Sequence, residues 1–192
     1  MLDLETYGTR AGCAIRSIGA VVFSPYEPSK DGLSPVFYRN VTRVSCTKSR
    51  LHVDPDTEKW WTEQGEEARD VLEVNQVHLK TACLEFNTWF RQNEATHVWS
   101  HGAVFDIPIY ECVAHAVGFK APWAYNAGRD TRTLFELVGL KTKDVPFVGI
   151  KHNALDDAIH QAKCVQKAMQ RLSEWKEQSE EYDEIKGMYG PS

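Results

Sequence analysis

Apolar residues recur along this chain in two rhythms. Over the first forty residues they alternate with polar ones or run unbroken, as strands do. Leu2-Asp3-Leu4-Glu5-Thr6 alternates, Ala14 to Phe23 is an almost continuous apolar run, and Val36 to Val41 repeats the strand pattern. Short links join the three: a turn at Thr6–Gly12 and a loop at Ser24–Ser34 holding two prolines, a glycine and an aspartate. Such spacing predicts an antiparallel meander. Beyond residue 50 the rhythm becomes helical. Asp54-Pro55-Asp56-Thr57-Glu58 is a helix start, leading into Trp60 and Trp61. Adjacent helix positions point about 100° apart, which predicts one buried indole and one half-buried. Val77–Arg91 predicts an amphipathic helix with Leu79, Ala82, Cys83, Phe86 and Phe90 inward. His97–His101 reads as a short strand, Ile107–Val117 as a helix stopped by Gly118, and Pro122–Tyr125 as another strand. A helix opens at Arg129–Leu134 with Asp130 as its cap and stops at Gly139. Lys141–Ile150 is a loop, and Lys151–Ala158 begins a long final helix whose buried stripe continues through Ala162, Val165, Ala168, Met169 and Leu172. Strands followed by strands mixed with helices predict a single α/β domain over residues 1–172, with a mixed central sheet flanked by helices.

Composition narrows the class. The chain has 192 residues, 42% hydrophobic and 26% charged, enough for one domain with its own core. No apolar run reaches the roughly 20 residues of a membrane span. Acidic residues at positions 3 and 5 stand where a secretory signal would be basic. Five scattered cysteines without C-x-x-C spacing argue against a disulfide framework and a zinc site, and for reduced thiols in the cytoplasm. Net charge is −5, but residues 173–192 form an acidic tail carrying −4 of it. A body that held divalent cations on its acidic side chains would be compatible with a polyanionic substrate.

The candidate chemistry lies in four places. Asp3 and Glu5 share one face of the first strand, where like charges repel unless a cation neutralises them. Asp106 follows a glycine, His152 precedes the last helix, and Asp157 lies in that helix's first turns. Taken singly, Asp106 and Asp157 are ordinary helix-start acids, and His152 an ordinary structural histidine. Jointly, carboxylates of this number can hold two Mg²⁺ or Mn²⁺ ions about 4 Å apart, and an imidazole beside them can take a proton from water. That is the chemistry of metal-assisted phosphodiester hydrolysis.

Asp3-Leu4-Glu5-Thr6, Ser100-His101-Gly102-Ala103-Val104-Phe105-Asp106 and His152-Asn153-Ala154-Leu155-Asp156-Asp157-Ala158 resemble, in order and spacing, the three motifs of the DEDDh 3′→5′ exonucleases with an RNase H-like fold. Thr57-Glu58-Lys59-Trp60-Trp61 and Arg129-Asp130-Thr131-Arg132-Thr133 look like segments of phage DNA exonuclease A and the mycobacterial-type exoribonuclease group. The resemblance implies Asp3, Glu5, Asp106 and Asp157 as ligands of two ions and His152 as general base, with Asp156 within reach. It implies Leu4, Thr6, Trp60 and Phe105 at the 3′-terminal nucleotide and Arg129 and Arg132 as phosphate contacts. It also implies nucleoside 5′-monophosphates released from single-stranded 3′ ends, with DNA favoured over RNA. A homodimer is compatible with it. His101 stands where relatives carry Asn. Only two residues precede Asp3, so either the first strand is short or the start lies upstream of Met1. Two other readings compete: an RNase H-like endonuclease, which the His152-x4-Asp157 spacing disfavours, and a catalytically silent nucleic-acid-binding or protein-interaction module.

Overall fold

The computed structural model describes residues 1–27 and 33–189, with side chains as far as Ser179. Part of the loop expected at Ser24–Ser34, and the end of the acidic tail, lie outside the described residues. Strand β1 (Leu2–Thr6) pairs antiparallel with β2 (Ile15–Val21), which pairs antiparallel with β3 (Val36–Asn40), as the alternation predicts. The register sets Asp3 opposite Gly19 and Tyr38, and Glu5 opposite Ser17 and Asn40. Because side chains alternate, these two rows share one face of the sheet. Leu2, Leu4, Ile18, Ala20 and Phe37 occupy the other face and are buried.

That second face meets α4 (Leu79–Gln92) and α5 (Asp106–Ala116). Phe86 centres the core there, with ring centroids 5.3 Å from Phe37 and 4.8 Å from Tyr110. The first face meets α7 (Ala154–Tyr189). Ala154, Ala158, Ala162, Val165 and Ala168 are buried along it, and small residues bring its axis close to the sheet. At Gly19 the approach is so close that a Cβ would overlap the Ala154 carbonyl. Asp3 and Glu5 therefore project beside the N-terminal end of α7.

Hydrogen bonding divides the expected mixed sheet in two. Strand β4 (Val98–Ser100) lies near β1 but pairs in parallel with β5 (Gly128–Asp130) to make a separate two-stranded sheet. The strand expected at Pro122–Tyr125 is instead a run of bends and turns. Trp123 is pinned there by a 2.9 Å bond from its Nε1 to Glu111, while Tyr125 is exposed. The strand lies three residues further on, in Gly-Arg-Asp, whose pairing with β4 owes nothing to an apolar pattern. Two short helices, α1 (Arg43–Lys48) and α3 (Glu66–Glu73), have no counterpart in the periodicity. The carbonyls of Val71 and Val74, at the end of α3, accept Nδ2–H bonds from Asn40 on β3 at 2.6 and 2.8 Å, a tertiary interaction that no local pattern encodes. Helices α2 (Pro55–Thr62) and α6 (Thr131–Leu137) carry the caps expected of them, Asp54 and Asp130, which accept from the backbone N–H of Asp56 and Thr133. All five cysteines are free thiols. No described helix is long and apolar enough to cross a membrane.

Candidate active site

Asp3, Glu5, Asp106, His152 and Asp157, from four separate stretches of chain, converge at the N-terminal end of α7. Each is placed by identifiable backbone interactions. Asp106 is the first residue of α5 but does not cap it; its Oδ1 accepts the N–H of Leu4 at 3.1 Å and ties α5 to β1 between the two acidic positions. Asp3 accepts a 2.7 Å bond from Gln161 Nε2, one turn beyond Asp157 on α7. Gln161 is a site residue that the motifs do not mark; its place four residues after Asp157, on the same helix face, is the signal it carried. Asp157 Oδ2 accepts the backbone N–H of His152 at 2.9 Å. Asn153 Oδ1 accepts from the N–H groups of Leu155 and Asp156 at 3.0 and 3.3 Å, satisfying two donors at the start of α7. His152 itself has φ 63°, in the left-handed region.

The electrostatics of the cluster are those of crowded anions. Glu5 is 8% exposed and Asp106 3%. Burial, then the neighbouring carboxylates Asp106, Glu5 and Asp157, raise the Asp3 carboxyl well above its ordinary range; Gln161 offsets part of this. Burial together with Asp157 and Asp106 pushes Glu5 up to about 8, with Arg16 opposing. Burial also raises Asp106 and Asp157, against hydrogen bonds from Leu4 and His152 respectively. Ligand atoms of Glu5, His152 and Asp157 lie within 4.8 Å of one another, a group able to hold a metal ion. Hard carboxylate oxygens with one imidazole suit Mg²⁺ or Mn²⁺, and a cation is what would relieve the repulsion. Asp3 and Asp106 border this group and have turned an oxygen to the available N–H donors.

Aromatic residues wall one side. Trp61 is 4% exposed and Trp60 40%, as the helical geometry predicts. The Trp61 Nε1–H donates to the Thr6 carbonyl at 2.8 Å, fastening α2 to β1 beside Glu5. The His152 ring stands nearly perpendicular to Trp60, with centroids 5.1 Å apart. Behind Trp61 is Arg16, a second residue that pattern reading misses. Its side chain is 8% exposed, its guanidinium lies 4.4 Å from the Trp61 ring, and it pairs with Glu73 at 2.7 Å. It supplies Glu5 with the nearby positive charge noted above.

Leu4, Thr6, Trp60 and Phe105 line one cavity of about 560 Å³ that opens beside Glu5, with Asp54 and Thr57 at its wall. A smaller cavity, about 240 Å³, lies by Phe23, Phe90 and Trp99 and contains none of the candidate site residues. The two arginines behave differently. Arg129 Nη1 donates to the carbonyls of Asn126 and Gly128 at 2.9 and 2.8 Å, so its head fastens its own turn. Arg132 is exposed, its guanidinium beside Gly102, and among the described residues it has no ion-pair partner. It is near enough to lower the Asp106 carboxyl. His101 Nδ1 lies 2.8 Å from the Thr131 hydroxyl.

A profile described as the 3′-5′ exoribonuclease Rv2179c-like domain matches residues 1–169. The chain belongs to that family. A comparison with curated proteins returns no match. The family match runs from β1 into α7 and so takes in all five converging residues. Membership in this exoribonuclease family assigns the chain to the hydrolytic 3′→5′ nucleases, in agreement with the exonuclease expected from the motifs.

Proposed function

We propose that this chain is a divalent-metal-dependent 3′→5′ exonuclease of the DEDDh type on an RNase H-like fold, hydrolysing single-stranded ends to nucleoside 5′-monophosphates. The observation that carries the reading is the meeting of four carboxylates and one histidine from separate elements at the end of α7. Asp3, Glu5, Asp106 and Asp157 would hold two Mg²⁺ or Mn²⁺ ions, which neutralise charge on the scissile phosphate and favour ionisation of the attacking water. His152 accepts the proton that water gives up. The water oxygen bonds to phosphorus as the bond to the 3′ oxygen breaks, and that oxygen takes a proton from solvent, leaving a shortened strand with a 3′ hydroxyl and one free 5′-monophosphate. The cavity between Leu4, Thr6, Trp60 and Phe105 receives the terminal base, whose π-face suits an aromatic wall. Arg132 contacts a phosphate, and Arg129 holds the turn that presents it. The catalytic domain is residues 1–172, with Ser173–Ser192 an acidic extension.

The motif resemblance favours DNA, whereas the family description names RNA, so RNA is the first substrate in the test. Equal-sequence single-stranded RNA and DNA, 5′-labelled, are digested with Mg²⁺, Mn²⁺ or EDTA by wild type, Asp157→Ala and His152→Ala. A metal-dependent ladder shortening from the 3′ end, lost in both variants, is expected. Intact strands under every metal would overturn the reading in favour of a silent binding module. Internal cuts would overturn it in favour of an endonuclease.

A further inference from the structure

Asp156 precedes Asp157 in the first turn of α7, yet successive helix positions diverge by about 100°. Asp157 turns to Glu5 and His152. Asp156 turns back over the preceding loop, where its Oδ2 accepts the Ile150 N–H at 2.8 Å. It also fills the space above Gly149, where φ is 119° and a Cβ would overlap the Asp156 carboxylate. Three residues after Gly149 comes His152 at φ 63°. A non-glycine residue keeps that conformation only where its surroundings enforce it. The turn between them is closed by an Asn153 N–H to Ile150 carbonyl bond of 3.1 Å. It is therefore clamped from α7 at two points: Ile150 by Asp156 and His152 by Asp157. The two clamps are not equivalent. Asp157 belongs to the group that could hold a cation, so its oxygens are shared between the loop and any ion. Asp156 is outside that group, and its hold on the loop is independent of cation binding.

We propose that Asp156 is a positioning residue: it holds the Gly149–Asn153 turn so that the His152 imidazole faces the attacking water. The inference rests on the exonuclease reading for what His152 does, and on the loop geometry alone for the hold. The cavity walls Leu4 and Phe105 belong to other elements and only Trp60, whose ring meets His152, touches the turn, so loss of the clamp acts more on turnover than on substrate binding. A neutral amide at this position keeps an oxygen for the Ile150 N–H, so the charge is dispensable.

The test compares Asp156→Ala, Asp156→Asn, Gly149→Ala and Asp157→Ala in the full chain. Two readouts are taken: amide hydrogen exchange in EDTA, and kcat and KM on single-stranded RNA with Mn²⁺. In Asp156→Ala, amides of residues 149–153 should exchange about tenfold faster, as expected for one lost hydrogen bond, with those of β2 and α4 unchanged. Its kcat should fall by roughly 10- to 100-fold, the size of effect a misplaced catalytic group produces, with a smaller change in KM. Asp156→Asn should restore both, and Gly149→Ala, which crowds an intact Asp156, should reproduce the faster exchange. Unchanged exchange at residues 149–153 in Asp156→Ala would overturn the proposal. So would an Asp156→Asn protein as inactive as Asp157→Ala with its loop still protected, since the charge would then be the requirement. If wild type cleaves nothing, the exonuclease reading fails, and the exchange data still decide whether Asp156 holds the loop.

Discussion

Gly19 is the point where the catalytic geometry and the fold are the same contact. It sits in β2 opposite Asp3, and the backbone of Ala154 and Leu155 rests directly on it. Replacing it with alanine puts a methyl group inside the Ala154 carbonyl. The obstacle is the rigid start of a helix, so α7 must retreat by about 1.5 Å to regain ordinary contact distance. Overpacking of this kind costs about 1–3 kcal/mol. In a chain of 192 residues each kcal/mol lowers Tm by roughly 2–4 °C, so a fall of about 2–12 °C is expected. Activity should suffer more. Asp3 and Glu5 stay with β1, while Asp157, Asn153 and the His152 turn move with α7. A 1 Å mismatch between catalytic groups lowers rate by on the order of 100-fold. Gly65→Ser is the control: no atom lies within 4 Å of its Cβ position, so neither Tm nor rate should fall. Thermal melts followed by circular dichroism, and single-turnover hydrolysis of labelled RNA at a temperature where both proteins are folded, measure the two effects. A Gly19→Ala protein with wild-type Tm and rate would refute the packing of α7 on β2 and the account of the site built on it.

Two further outcomes follow from charge. Folded Glu5 keeps its proton up to about pH 8, against an ordinary value of 4.5, so the folded state holds more protons across that window and loses stability as pH rises through it. The buried Met1 amine, lowered to about 5 by desolvation, acts with the opposite sign. Comparing Glu5→Gln with wild type cancels it: in EDTA the variant's Tm advantage should widen from pH 5 to pH 8, and Mn²⁺ should erase it by stabilising wild type. A constant or shrinking difference would count against mutual repulsion in the metal-free site. For the substrate, Arg132→Ala should raise KM for oligonucleotides and reduce the slope of log KM on log salt by roughly 0.7, the value of one phosphate contact on a single strand. Hydrolysis of an aryl ester of a nucleoside 5′-monophosphate, which has no neighbouring phosphate, should change less than that of the oligonucleotide; an unaltered salt slope would remove Arg132 from the binding surface.

What could be read along the chain was whatever is repeated or closely spaced. The alternation of Leu2 to Thr6 determined that Asp3 and Glu5 share a face, because a strand's side chains have a strict period of two. His152 and Asp157 could be linked because only four residues of turn and helix start separate them. Asp54 ahead of Pro55 and Asp130 ahead of Thr131 marked helix starts, because caps are satisfied within a single turn. The strand misplaced at Pro122–Tyr125, the short α1 and α3, and the roles of Arg16 and Gln161 were not legible, since their partners lie far away in sequence. β5 exists because β4 offers it a parallel edge, and α3 ends where Asn40 reaches it. The H-x4-D spacing singled out Asp157, but the separate task of Asp156 was tertiary. Only the seating of α7 on Gly19 decides which carboxylate meets Glu5 and which closes over Gly149. Local stereochemistry sets periods and caps, whereas packing sets which of two like side chains faces the site.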